Sequence, residues 1–101
     1  MVGNVFASLV QLSVAETIGT MGLASTPLLE KLTELLDWPH WQVRRKAIQA
    51  LGQLHRNIPD VAIVRLLQLR CDPDPKMRAV REAADDALAE ILSLKTGIED
   101  G

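Results

Sequence analysis

One unit occurs twice in this sequence: a short apolar helix pattern, a turn with proline, and a longer amphipathic helix pattern. It occupies Leu28–Gln53 and recurs over Pro59–Leu94, and the turn residues Pro39 and Pro73 are 34 positions apart. Repeated helix pairs of this size stack into a solenoid, because one pair can bury its apolar face only against the next pair. In the first unit the apolar residues recur at spacings of three and four, which indicates one helical face. They are Val43, Ala47, Ala50, Leu51 and Leu54.

The sequence before the first unit resembles the longer helix of a unit. It has helical apolar spacing over Val2–Met21, and Ile18-Gly19-x-Met21 matches Leu51-Gly52-x-Leu54 at a shift of 33 residues. A small residue such as Gly52 is expected to admit a neighbouring helix closely. We therefore predict five helices in one domain over residues 1–96. It comprises a half-repeat at 3–22 and repeats at 26–55 and 59–95, and a flexible tail follows at 97–101.

Composition restricts the class of protein. The chain has 101 residues, is 48% hydrophobic and 3% aromatic, and is rich in Ala and Leu, which favours helix over strand. Its one cysteine cannot form an internal disulfide, which favours a reducing compartment. The first basic residue is Lys31, so the start lacks the basic segment of a secretory signal, and polar residues interrupt the early apolar run. A cytoplasmic protein without a membrane span is predicted.

Two segments carry a resemblance to a known family. Asp72-Pro73-Asp74-Pro75-Lys76-Met77-Arg78 resembles the turn and second-helix start of a HEAT repeat, and is most similar to the bacterial phycobilisome-lyase-type HEAT-like subgroup. Pro39-x-Trp41-Gln42-Val43-Arg44, followed by Ala47 and Ala50-Leu51-Gly52, resembles the same pattern. The resemblance covers Ser25–Leu94. It implies an all-α fold: a short α-solenoid, or superhelix, of antiparallel helix pairs with about two and a half HEAT-like repeats.

The resemblance also implies structural roles in the turns. In that family the turn Asp and the helix Arg form a polar ladder along the stack, and Asp72 and Arg78 match these positions. Arg44 matches in the earlier repeat, where Trp38 stands at the Asp position and Asp37 precedes it. The last helix fits the family's apolar pattern better with a three-residue insertion, which puts Val80-Arg81 in place of Met77-Arg78. The predicted turn and ladder residues are Asp37, Pro39, Arg44, Asp72, Pro73 and Arg78.

No cluster of residues indicates a catalytic or metal site, and no cofactor is expected. His40 and His55 lack a further ligand at metal-binding spacing on their helix. Cys71 has no partner typical of a nucleophile. Asp72 and Asp74 resemble a pair of acid–base carboxylates, but helix capping is the favoured interpretation of carboxylates in a proline-rich turn.

The candidate binding residues are two tryptophans and a set of polar residues on the longer helices. Trp38 and Trp41 flank one turn, and tryptophan is enriched in binding hot spots, although both can instead cover gaps between repeats. Basic residues cluster between Asp37 and Asp60, whereas the charged residues among the last twenty are mostly acidic. That polarity either steers a partner or belongs to an ordinary solvated surface. The predicted partner-binding residues are Trp38, Trp41, Arg45, Gln49, Arg78, Arg81 and Asp85.

Three functions fit this sequence. The first is a non-catalytic protein–protein interaction scaffold that binds a partner on the concave face of the solenoid. The second, implied by the resemblance, is a bilin lyase or lyase accessory subunit acting on phycobiliproteins. The third is a helical-repeat nucleic-acid binder, which the net charge of −2 disfavours. The first helix carries only one charge, Glu16, and is a poor cap, so we predict that it docks on another copy or belongs to a longer solenoid.

Overall fold

The computed structural model describes residues 2–96, with side chains from 6 to 93, and it is all helical over that part of the chain. The five predicted helices are present, and the predicted tail at 97–101 lies outside the described residues. A short 3-10 turn at Pro75–Met77 precedes the last helix. The α-helices are α1 Val2–Met21, α2 Thr26–Leu35, α3 Trp41–Leu54, α4 Asp60–Arg70 and α5 Arg78–Thr96.

The helices form two layers. The inner layer consists of the long helices: α3 lies in the middle and packs against α1 on one side and α5 on the other. The outer layer consists of the short helices, in which α2 packs on α3 and α4 packs on α5. This arrangement confirms the predicted short α-solenoid of helix pairs, with α1 as the half-repeat.

Local sequence explains where the helices begin and end. Pro27 occupies the first turn of α2, where its missing N–H costs no hydrogen bond. Gly22 has a φ of 68° just after α1, a left-handed conformation that glycine adopts without a steric penalty. In the 3-10 turn, the Lys76 backbone N–H donates to the side chain of Asp74 at 2.9 Å. These signals set the short connections that hold each helix pair antiparallel.

The inner helices approach closely at glycines. A Cβ built on Gly52 would lie 3.2 Å from the Cα of Ala87 on α5. A Cβ built on Gly19 would lie 2.9 Å from the Cα of Ala50 on α3. Glycine at these two positions therefore lets neighbouring inner helices pack backbone against side chain, as the sequence predicts for Gly52.

The structure also fixes the register of the last helix. Val80 is fully buried, as Val43 is, whereas Met77 is only partly buried and precedes α5. Val43 and Val80 are 37 positions apart, three more than the turn prolines, and the 3-10 turn takes up the difference. Val80-Arg81 therefore matches Val43-Arg44, as the three-residue insertion predicts.

Candidate partner-binding surface

The solvent-facing side of the inner layer carries two parallel rows of polar side chains, which we call the inner face. One row lies on α3 and the other on α5, and the shift of 37 residues pairs them one to one. Residues four positions apart lie on the same side of a helix, so each row is continuous. The rows consist of Arg45, Gln49 and Gln53 on α3 and of Glu82, Asp86 and Glu90 on α5.

An open groove runs between these two rows. Its volume is about 480 Å³, and its floor consists of the small buried residues Gly52, Ala83 and Ala87. The walls are two amides on α3 and two carboxylates on α5, and His55 also lines the groove. The wall residues are Gln49, Gln53, Asp86 and Glu90.

The corresponding space between α1 and α3 is more crowded. The side chain of Gln53 lies over Gly19, where a Cβ would collide with its Oε1. In addition, α3 carries Lys46 at the position that Ala83 occupies on α5, 37 residues later.

Both predicted tryptophans are only partly exposed and pack against the hydrophobic core. Trp38 donates a hydrogen bond from its Nε1 to the Oγ of Ser8 at 2.9 Å, so it joins the α2–α3 turn to α1. Trp41 is the first residue of α3. These contacts give the pair a packing role between repeats, which is the alternative to a partner anchor.

Three further predicted binding residues contact neighbouring parts of the chain. Arg81 donates from Nη1 to the backbone oxygens of Asp72 and Asp74, at 2.9 and 2.7 Å. Arg78 is paired with Glu82 at 3.0 Å along the same helix. Asp85 is paired with Arg70 of α4 at 3.1 Å.

Of the seven predicted binding residues, Arg45 and Gln49 therefore lie together on the inner face without a partner among the described residues. The sequence analysis missed the groove residues Gln53, Asp86 and Glu90. They are identified by aligning α3 with α5 at a shift of 37 residues, which includes the three-residue insertion before the last helix.

The turn residues join neighbouring repeats, but in a pattern that differs from the expected ladder. Asp37 accepts a hydrogen bond from Nε of Arg65 on α4 at 2.6 Å. Arg44 donates from Nη2 to the Sδ of Met77 at 3.1 Å, and so reaches the next turn. In the second turn Arg81 donates to the backbone, and Arg78 is paired with Glu82.

Pro39 and Pro73 both lie in these turns, outside the helices. The Asp72 carboxylate accepts from the backbone N–H of Asp74 at 2.9 Å, a hydrogen bond typical of a turn. The two turn carboxylates therefore bond to local backbone groups, as the capping interpretation predicts.

The structure contains few features of a chemical site. No group of three or more His, Cys, Asp or Glu side chains capable of holding a metal ion occurs among the described residues. No described helix is both long and apolar enough to cross a membrane. Cys71 is exposed in the α4–α5 connection.

Fold and surface together define a helical-repeat protein of the α-solenoid class. Residues 28–58 match the family model of the HEAT repeat, and this segment covers most of α2, the first turn, α3 and most of the next loop. This match supports the HEAT-repeat family. No curated protein and no solved structure matches the chain significantly.

Proposed function

We propose that this protein is a non-catalytic protein–protein interaction scaffold that binds its partner on the inner face. The observation that carries the proposal is the open α3/α5 groove. Its amide and carboxylate side chains make no ion pair or side-chain hydrogen bond with other described residues, so they are free to contact a partner. HEAT repeats commonly serve as protein-interaction surfaces, in agreement with a groove lined by polar side chains.

Affinity capture with matched variants tests this function. Arg45→Ala/Gln49→Ala removes two inner-face side chains, and Lys76→Ala removes one exposed positive charge from the 3-10 turn, which does not line the groove. The expected result is a protein captured from the source lysate by the wild type and by the Lys76 variant, but lost with the inner-face variant. Identical capture by all three proteins would count against the inner face. Trp41 is left intact because it packs on the core.

A second partner surface is proposed on α1. Its outward side carries exposed apolar residues, among them Phe6, Val10 and Met21. We propose that a further helix covers this side, supplied by another copy of the chain or by a longer solenoid. Light scattering over a range of concentrations tests the first source: a mass that doubles supports another copy, and a constant monomer mass excludes it.

The narrower resemblance to the phycobilisome-lyase-type subgroup stays a prediction, and so do the bilin-lyase alternative and the cytoplasmic location. The bilin hypothesis is tested by the absorbance spectrum of a bilin mixed with the protein, where no spectral change would remove it. Nucleic-acid binding is the weakest of the alternatives, because the α5 side of the groove is acidic and repels phosphate. Salt-sensitive retention on heparin would support the nucleic-acid-binding hypothesis.

A further inference from the structure

We propose that the α3/α5 groove recognises an arginine side chain in a basic segment of the partner. This inference rests on the proposed scaffold function and names the chemistry of its ligand. The partner is thus a protein with an arginine-rich exposed segment, and the groove is the place where one guanidinium group is held.

The two groove carboxylates are the acidic groups that α5 leaves unpaired along this side. Glu82 is paired with Arg78, and the neighbouring Asp85 is paired with Arg70. Asp86 and Glu90 line the groove, and neither forms an ion pair with another described residue. They stand four positions apart on one side of the helix, where like charges repel each other. A cation placed between them relieves that repulsion.

The opposite wall supplies an uncharged acceptor. The amide of Gln49 lines the groove and offers a carbonyl oxygen, whereas the Oε1 of Gln53 lies toward Gly19 on α1. A guanidinium group has only donors, five N–H bonds in a planar fork, and a carboxylate accepts two of them in parallel. The donor set of arginine therefore matches two carboxylates and a facing amide better than the compact ammonium of lysine does.

The floor and the ends of the groove determine how the ligand lies. Gly52, Ala83 and Ala87 leave room for a planar group and part of the flanking peptide within about 480 Å³. Glu90 lines the groove, and Arg45 extends the α3 row beyond Gln49. His55 also lines the groove, and its Nδ1 is buried without a hydrogen-bond partner among the described residues.

Fluorescence anisotropy with a defined peptide tests the proposal. The probe is a fluorescein-labelled peptide of alternating arginine and alanine, and the same peptide with lysine in place of arginine is the comparison. The protein variant Asp86→Asn/Glu90→Gln removes both groove charges without changing side-chain size. The control variant Glu30→Gln/Glu34→Gln removes two exposed charges with the same spacing from α2, in the outer layer.

The expected result is binding of the arginine peptide that weakens about tenfold or more in the groove variant and less than about twofold in the control. The lysine peptide should bind several-fold more weakly than the arginine peptide. Equal weakening in the two variants would show that binding depends on the net charge of the protein and not on the groove, and would overturn the proposal. No binding by the wild type at physiological salt, or equal binding of the two peptides, would also overturn it. Circular dichroism establishes that both variants remain folded.

The same groove variant separates this inference from the scaffold function. If a lysate partner is lost with Arg45→Ala/Gln49→Ala but retained with Asp86→Asn/Glu90→Gln, the inner face binds a partner and arginine recognition is wrong. If no partner depends on either variant, both proposals fail. Loss with both variants, together with arginine-peptide binding, supports both.

Discussion

Helices α1 and α3 are the same kind of inner helix, yet one is covered and the other is not. A shift of 33 residues aligns Val10 with Val43 and Met21 with Leu54. On α3 these positions are 0% and 5% exposed, because α2 packs over them. On α1 they are 53% and 65% exposed. The sequence of each inner helix therefore provides an apolar side on which a covering helix can pack. This holds for α1 although no described helix covers that side.

Helix α5 buries the same positions as α3. Its equivalent residues, Val80 and Ile91, are 0% and 1% exposed beneath α4. The two inner helices that have a covering helix thus bury the same positions. On α1 the aligned positions are exposed, because no described helix packs over them. The exposed side of α1 therefore has the apolar residues of a repeat interface, and no described helix covers them.

The largest effect is expected from truncating the same aligned position on the two helices. Leu54→Ala removes a buried side chain and should lower the free energy of unfolding by about 2–5 kcal/mol. In the monomer, Met21→Ala alters an exposed side chain and should change it by less than about 0.5 kcal/mol. Urea denaturation measures both. A similar loss in the two variants would mean that α1 is covered in solution.

The close contacts of the inner helices predict a smaller difference between two glycines. In Gly19→Ala the new methyl group meets the Ala50 backbone at 2.9 Å, so α1 and α3 must move apart, at a cost of about 1–3 kcal/mol. In Gly52→Ala the contact at 3.2 Å is easier to relieve, and the gain of about 0.5–1 kcal/mol in helix propensity offsets much of the cost. Thermal unfolding should therefore rank Gly19→Ala as the more damaging change. The reverse order would contradict the packing described at α1.

A hydrogen bond attaches α1 to the first turn, and its removal should have a modest effect. Trp38→Phe retains an aromatic ring and removes the donor to Ser8, which should cost about 1 kcal/mol in chemical denaturation. Ser8→Ala tests the same bond from the other side. A double-mutant cycle with no coupling between the two changes would exclude the bond in solution.

The smallest effect is expected at the ion pair that links two repeats. Asp37→Asn weakens the contact with Arg65. Asp37 is exposed and Arg65 is partly exposed, so the change should be below about 1 kcal/mol and decrease with added salt. Glu82→Gln, in the exposed pair with Arg78, is the control within one helix. A loss well above that limit would show that the pair is desolvated.

Much of the fold could be predicted from the sequence because it depends on local signals. Apolar spacing identified the buried side of α3, and Pro27 and Gly22 marked a helix start and a helix end. The repeat period then placed the helices in a stack.

The binding surface was harder to predict because it depends on contacts between distant residues. Arg81 and Asp85 have the composition of surface residues, yet the first bonds to the turn and the second to α4. Asp86 and Glu90 face the groove only in the register that the 3-10 turn imposes on α5. Sequence spacing alone does not reveal which charged residues find a partner inside the fold.

Alanine-methyl NMR during titration with the captured partner tests partner binding at the groove most directly. Ala83 and Ala87 form part of the groove floor on α5, whereas Ala62 is buried on α4 in the outer layer. If the partner binds the inner face, the methyl resonances of Ala83 and Ala87 shift and that of Ala62 stays in place. A shift of Ala62 with unchanged floor alanines would place the partner on the outer layer and contradict the proposed function.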